Sequence, residues 1–294
     1  MKILVTGSVG FLGQAVVREL RAQGHFVIGV DRREESPPGM VSSDLFLCTD
    51  LLSPSAYTHG SFDLCIHLAS EVGGFLFNAT TTDLEERESA MISTVASWCH
   101  SVSCKRILYL STINVFEFTT EYVHAPVQQG VQRTPYARAK ALGEHLVQEL
   151  FEEFVIVRPT NIFGAGQFRN HDRIGESHVI PDLLHKMSLD RNTLEVLGSG
   201  EQRRNFIHVD DVVHFVMKIL QCPKKGWYNL RSNITLRIAD VARELVQHVQ
   251  GGHRIVFVPE YMKYEPEPVK DFDLAPVSEL GWRPQVNSLS EGLQ

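Results

Sequence analysis

Apolar residues in the first half of the chain fall into short runs separated by stretches with helical spacing. Residues 3–5, 26–30, 45–47, 64–67, 107–110 and 155–157 read as strands. Residues 11–23 place Ala15, Val16 and Leu20 on one face of a helix. Strands alternating with helices predict an α/β fold, a doubly wound parallel sheet covered by helices on both faces. From about Phe163 the rhythm changes, and loops rich in Gly, Asn and His alternate with short helices at 180–187, 209–220 and 238–249. Pro259, Pro266, Pro268, Pro276 and Pro284 punctuate the end. The expected division is a first domain over 1–162, to which about 205–222 returns, and a smaller C-terminal lobe over 163–294 that closes on the sheet edge.

With 294 residues and 43% apolar content, the chain can bury a large core. Its net charge of −7 argues against nucleic acid as a partner. A phosphorylated ligand is still open to it through local donors. No apolar run reaches the roughly eighteen residues needed to cross a bilayer. The apolar stretch 3–5 is too short for a signal peptide and runs into a glycine turn, so it reads as a buried strand. Cys48, Cys65, Cys99, Cys104 and Cys222 show no metal-ligand spacing, so no metal is expected. Their scatter fits reduced thiols in a cytoplasmic protein.

The segment Val5-Thr6-Gly7-Ser8-Val9-Gly10-Phe11-Leu12-Gly13 joins the first strand to the first helix. Gly7 permits the tight turn, Gly10 lets backbone approach a pyrophosphate, and Gly13 lets the helix pack closely on the strand. The helix N-terminus then offers N–H groups and positive dipole to phosphates. Asp31 ends the next strand, where a carboxylate accepts from an adenosine ribose and repels a 2′-phosphate. This is a Rossmann-type site with NAD as the expected cofactor. Arg32 and Arg33 keep NADP open as the alternative, and the pair also reads as a solvated loop.

Tyr136 and Lys140 stand at i and i+4 on one helix face, with Thr134-Pro135 starting that helix. A phenol titrates near 10, and a lysine one turn away is expected to lower that value toward acid–base work at neutral pH. The same ammonium can hold ribose hydroxyls. The strand end Leu110-Ser111-Thr112 brings hydroxyls to the same sheet edge.

These segments together resemble the extended short-chain dehydrogenase/reductases, the NAD-dependent epimerase/dehydratase family, over nearly the whole chain. The likeness rests on Thr6-Gly7-x-x-Gly10-Phe11-Leu12-Gly13, Asp50-Leu51, His67-Leu68-Ala69-Ser70, Ser111-Thr112-x-x-Val115-Phe116 and Tyr136-x-x-x-Lys140. It continues through Arg158-Pro159-Thr160-Asn161-x-Phe163-Gly164, Arg204-Asn205-Phe206-Ile207-His208-Val209-Asp210-Asp211 and Leu280-Gly281-Trp282. The resemblance implies a catalytic Thr112, Tyr136 and Lys140, adenine contacts from Asp50 and Leu51, and a cofactor lining of Leu68, Ala69, Ser70 and Pro159. It implies a nucleotide-activated sugar, linked to GDP, dTDP or UDP, as substrate. Within the family the pattern is most similar to GDP-fucose synthases, through Val72-Gly73-Gly74, Ser177-His178-Val179-Ile180-Pro181 and Leu197-Gly198-Ser199-Gly200. That likeness makes His178 a general acid/base. It sets Lys186 and Arg204 toward the nucleotide, and Val72, Gly73, Asn114, Asn161 and Val179 toward substrate.

Asn114 stands where those enzymes carry a cysteine, and asparagine moves no proton at neutral pH. Dehydratases carry Asp-Glu after the threonine, where Ile113-Asn114 stands here. The family's arginine ahead of Asp273 is missing, and Glu265 and Glu267 occupy that stretch, so diphosphate binding falls to Arg204, Lys186 or Lys270. The leading reading is a 4-keto-sugar reductase. The alternatives are a sugar-nucleotide epimerase with tightly held NAD and a non-catalytic NAD(P)-binding regulator. His67 is expected to be structural, His208 to brace Asp210 and Asp211, and the run 85–88 to form a solvated helix face. Met91, Ile92, Val95, Ala139, Leu142 and Leu146 are expected to pair two copies into a homodimer through a four-helix bundle.

Overall fold

A computed structural model describes residues 1–34, 41–54, 57–117, 122–167, 173, 175–221, 224–264, 272 and 274–294. Cys222, Glu265, Pro266, Glu267, Pro268, Lys270 and Asp273 lie outside the described residues. The apolar runs become strands because flanking glycines and polar turns stop them after four to seven residues. In order, β1 (Lys2–Thr6), α1 (Phe11–Ala22), β2 (Phe26–Asp31), β3 (Leu45–Cys48) and β4 (Leu64–His67) come first. Then follow α2 (Phe75–Thr80), α3 (Leu84–Ser101), β5 (Arg106–Leu110), α4 (Pro135–Leu150), β6 (Glu153–Pro159) and β7 (Asn161–Phe163). The rest comprises α5 (Val179–Leu189), β8 (Thr193–Leu197), β9 (Arg203–His208), α6 (Val209–Gln221), β10 (Gly226–Leu230), β11 (Ile234–Arg237), α7 (Ile238–His248), β12 (Arg254–Val258) and α8 (Ala275–Ser278).

Seven strands form one parallel sheet in the order β10-β6-β5-β4-β1-β2-β3. The order reverses between β1 and β4, and ligands bind at such a switch point, beyond the carboxyl ends of the strands. Register aligns Thr6 with both Val30 and His67, so the ends of β1, β2 and β4 open level with one another. On one face, α1 and α6 bury Val16, Leu20, Val212 and Phe215. On the other, α3 and α4 bury Ile92, Val95 and Val147. Each such side chain contributes roughly 1.5–3 kcal/mol.

The lobe is built from a β11-β9-β7 sheet, a β12-β8 pair, α5 and α7 around Phe163, Leu194, Val241 and Leu245. The chain crosses between the two layers more often than expected. α6 leaves the lobe for the large sheet, β10 extends that return to Leu230, and Trp282, fully buried, joins the same core. Asp211 anchors this last crossing by accepting from the backbone of Gln285 (2.7 Å) and Val286 (3.3 Å), while the Trp282 indole donates to the Asp211 carbonyl (2.9 Å). No helix among the described residues is long and apolar enough to cross a membrane.

Candidate active site

A cavity of about 990 Å³ lies over the switch point, bordered by strand ends of the large sheet and by α5, β8 and β9 of the lobe. One end is a backbone cradle. Gly7 takes a left-handed φ of +68°, and a Cβ there would come within 2.8 Å of the Ala69 nitrogen. A Cβ on Gly13 would overlap the Gly7 carbonyl. No side chain caps α1, so the first-turn residues Phe11, Leu12 and Gly13 border the cavity with their N–H groups uncapped by any side chain. Asp31 accepts from the Val9 nitrogen (3.0 Å) and from the Arg33 backbone and guanidinium, tying the glycine loop to β2. Arg32 turns instead to Glu71 at 2.7 Å. Asp50, Leu51, Leu68, Ala69, Ser70 and Pro159 complete this end. A loop that presents glycines to the cavity at a helix N-terminus, with a carboxylate one strand away, fits the pyrophosphate and ribose of a dinucleotide.

At the middle of the cavity, Thr112 follows β5 and Tyr136 lies in the first turn of α4. The Thr112 hydroxyl lies close enough to the phenol to act on its proton. Glu117, which sequence reasoning missed, fixes the start of α4: its carboxylate accepts from the backbone of Arg133 (3.1 Å) and Thr134 (2.9 Å) and from the Thr134 hydroxyl (2.9 Å). The lobe end carries Asn161, His178, Val179, Lys186 and Arg204, opposite Val72, Gly73 and Asn114. Two backbone bonds stitch these walls together, from Gly74 N–H to the Glu176 carbonyl and from Leu76 N–H to the Gly175 carbonyl (3.1 Å). Lys186 pairs with Asp182 at 3.0 Å, Arg204 is nearly buried and bonds Gln202, and Asn161 donates to the Asn205 carbonyl.

Lys140 is the exception among the expected site residues. It is 3% exposed and does not border the cavity. Its ammonium donates to the Glu88 carboxylate (2.9 Å) and the Leu110 carbonyl (3.0 Å). Glu88, also 3% exposed, further accepts from the Tyr109 phenol (2.7 Å) and the Ser70 hydroxyl (2.8 Å). This corrects two expectations. The run 85–88 is not wholly a solvated face, because Glu88 lies four residues after Leu84 and four before Ile92, on the buried stripe of α3. That spacing was the signal for it. Nor is the Tyr136 phenol lowered: burial first, then the Glu88 charge, raise it above its ordinary value, against a smaller opposite effect of the Thr112 hydrogen bond.

His208 and His67 do not border the cavity. His208 accepts from the Asp210 backbone (3.3 Å) and meets the Gly292 carbonyl, bracing the start of α6. His67 is fully buried, with Nδ1 sharing a hydrogen bond with Thr6 Oγ1 (2.7 Å). Of the residues expected to pair two copies, Met91, Ile92, Val95 and Ala139 are buried inside the subunit, which leaves Leu142 and Leu146 partly exposed.

The chain is similar to several known proteins over nearly its whole length. The chain is 23% identical over 310 residues to dTDP-D-glucose 4,6-dehydratase of Homo sapiens, covering 97% of this chain and 86% of that one. It is 26% identical over 308 residues to dTDP-4-dehydro-6-deoxy-D-allose reductase of Streptomyces bikiniensis (95% and 90% covered). To GDP-L-fucose synthase of Escherichia coli K12 it is 24% identical over 318 residues (99% and 94%). The crystal structure of DesIV, a dTDP-glucose 4,6-dehydratase from Streptomyces venezuelae with NAD and TYD bound, superposes with a TM-score of 0.81 at 22% identity, covering 99% of this chain and 94% of that one. The model of one family matches residues 3–235, which include the glycine loop, Asp31, Thr112, Tyr136 and His178. With residues 3–235 of its 294 matched, the chain belongs to the NAD dependent epimerase/dehydratase family.

Proposed function

We propose that the protein is an NAD-dependent reductase of 4-keto sugar nucleotides. The observation that carries this reading is that Thr112 and Tyr136 meet on the wall of a cavity that runs from the glycine loop to the lobe. Gly7, Gly10 and the first turn of α1 would hold the pyrophosphate of NAD, and Asp31 the adenosine ribose. Bound there, NADH supplies hydride. Tyr136 gives its proton to the substrate oxygen, and the Thr112 hydroxyl orients that oxygen. Asn114 and Asn161 hold the sugar, while Lys186 and Arg204 face the nucleotide diphosphate. His178 stands on the same cavity wall as a candidate proton carrier, whereas Asn114 carries none. Glu117 is spent on the start of α4, so no carboxylate follows Thr112 in the role a dehydratase needs. Relatives named as a keto-sugar reductase and a fucose synthase support the same chemistry.

The test is incubation with NADH and 4-keto-6-deoxy sugars linked to GDP, dTDP or UDP, followed by mass spectrometry. A mass gain of one hydride plus one proton is expected for one of them. Tyr136→Phe should slow that gain by roughly two to four orders of magnitude, the scale of general acid catalysis. In deuterium oxide without reduced cofactor, no deuterium should enter C3 or C5 at a catalytic rate. Formation of a C4 epimer, with NAD retained through purification, would make the protein an epimerase instead.

A further inference from the structure

Two arginines follow Asp31, and a dinucleotide that carried a 2′-phosphate would need one of them. A guanidinium fork matches a phosphate, and here it would have to offset the Asp31 carboxylate, which repels one. Neither arginine is turned to that task. Arg33 folds back on its neighbour, donating from Nε (3.2 Å) and Nη2 (3.3 Å) to the two Asp31 oxygens. Arg32 reaches the other way, and its Nη1 donates to Glu71 Oε1 at 2.7 Å. Arg32 directly follows β2, and Glu71 stands four residues beyond the end of β4. β1 lies between those two strands, so the ion pair crosses the carboxyl end of β1, beside the glycine loop. Arg32 and Glu71 border the same cavity as Asp31, Gly7 and Gly10. Exposed ion pairs are weak, but this one is sheltered on one side. The Arg32 side chain is 58% exposed, that of Glu71 only 16%. Arg87 on α3 adds a second cation 3.7 Å from Glu71 Oε1, while its own Nε is bound to Asp83. Glu71 is thus a fixed acceptor between two arginines carried by different elements.

We propose that Glu71 is a specificity-determining residue for the dinucleotide: it holds the Arg32 guanidinium across the end of β1 and so withholds it from a 2′-phosphate. Asp31 and Glu71 then act in series. Asp31 turns a 2′-phosphate away by its charge, and Glu71 keeps the neighbouring arginine from inviting it back. A free 2′-hydroxyl needs no cation and donates to Asp31. The role rests on the dinucleotide reading of the glycine loop and is independent of which sugar the protein reduces.

The test is the binding of NADH and NADPH at fixed low salt, read from nicotinamide fluorescence with no sugar present. The parent should bind NADH the tighter. Glu71→Gln keeps the side chain's size and loses its charge. It should tighten NADPH by roughly three- to fivefold, the reach of an exposed ion pair, and leave NADH little changed. Losing a charge also shifts the field over the whole site, so two double variants of equal net charge separate that effect from a direct contact. Glu71→Gln with Arg32→Gln should return NADPH to the parent's affinity, whereas Glu71→Gln with Arg87→Gln should keep the gain. Equal loss of the gain in both doubles overturns the proposal, as does a parent that prefers NADPH. Where Glu71→Gln is unstable, the exposed single changes decide. Arg32→Gln should weaken NADPH no more than Arg87→Gln does, and a clearly larger loss would show that Arg32 already meets the 2′-phosphate. Binding of neither dinucleotide would overturn the cofactor site itself, and Glu71 with it. Tight NADH with an unmoved NADPH-to-NADH ratio in folded Glu71→Gln overturns the role of Glu71 alone.

Discussion

Sealed into β4, His67 stacks its ring against Tyr109 and stays neutral in the fold, because burial outweighs the attraction of Glu88. Unfolded, it would titrate near 6.5 rather than about 4. Its folded value is depressed, so between pH 6.5 and 4 the unfolded chain binds more protons and stability falls as pH falls. The stabilising contribution, about 3 kcal/mol for a shift of this size, is complete above pH 6.5 and gone below 4. Thermal unfolding of the parent and His67→Gln across that window should show the parent losing about that much more. Parallel curves would remove His67 from the account. At this scale the sequence was legible where chemistry is local. Tyr136, Lys140 and Thr112 announce themselves by spacing and by a strand end. Glu88 did not, because it stands in a charged run whose other members, Glu85, Glu86 and Arg87, are half-buried or exposed, and its own burial depends on which side of α3 meets α4. The direction of the Tyr136 shift was misread for the same reason, since a lysine in sequence tells nothing of the carboxylate that claims it.

Between residue and molecule, α4 is the element on which the site depends, for it carries Tyr136 in its first turn and Lys140 in its second. Glu117 and Thr134 fix where it begins, and Thr134 also accepts from the Ala137 nitrogen (3.3 Å). Glu117→Ala leaves two backbone donors short of a partner and should cost about 1–2 kcal/mol in denaturant unfolding. Reduction should slow beyond that loss of stability, because the phenol rides on the frayed turn. An unchanged unfolding free energy would show that water replaces the carboxylate fully. The strands of the large sheet were readable because both faces are covered and their sequences are continuously apolar. β10 escaped notice, being five residues with a polar Asn229 near its end. That asparagine is fully buried and makes sense only in three dimensions, donating to the Val123 carbonyl. The lobe's strands mix arginine and asparagine with apolar residues, so no period stands out.

For the whole molecule, the homodimer is carried forward as a proposal resting on Leu142 and Leu146, the two residues of the expected stripe still partly exposed. Light scattering at micromolar concentration should give twice the subunit mass, and Leu146→Glu should halve it. A monomeric parent ends the idea. The return of β10 and Trp282 to the large sheet was not legible in the sequence, because it depends on tertiary partners such as Asp211. The stitched wall at Gly74, Leu76, Gly175 and Glu176 bears on what the molecule will tolerate. At Gly74 a Cβ would overlap the backbone of Ser177, so the two walls meet main chain to main chain. Any side chain placed at Gly74 would therefore part the two walls as a unit, like the opening of a zip, since no neighbouring side chain stands there to rotate out of its way.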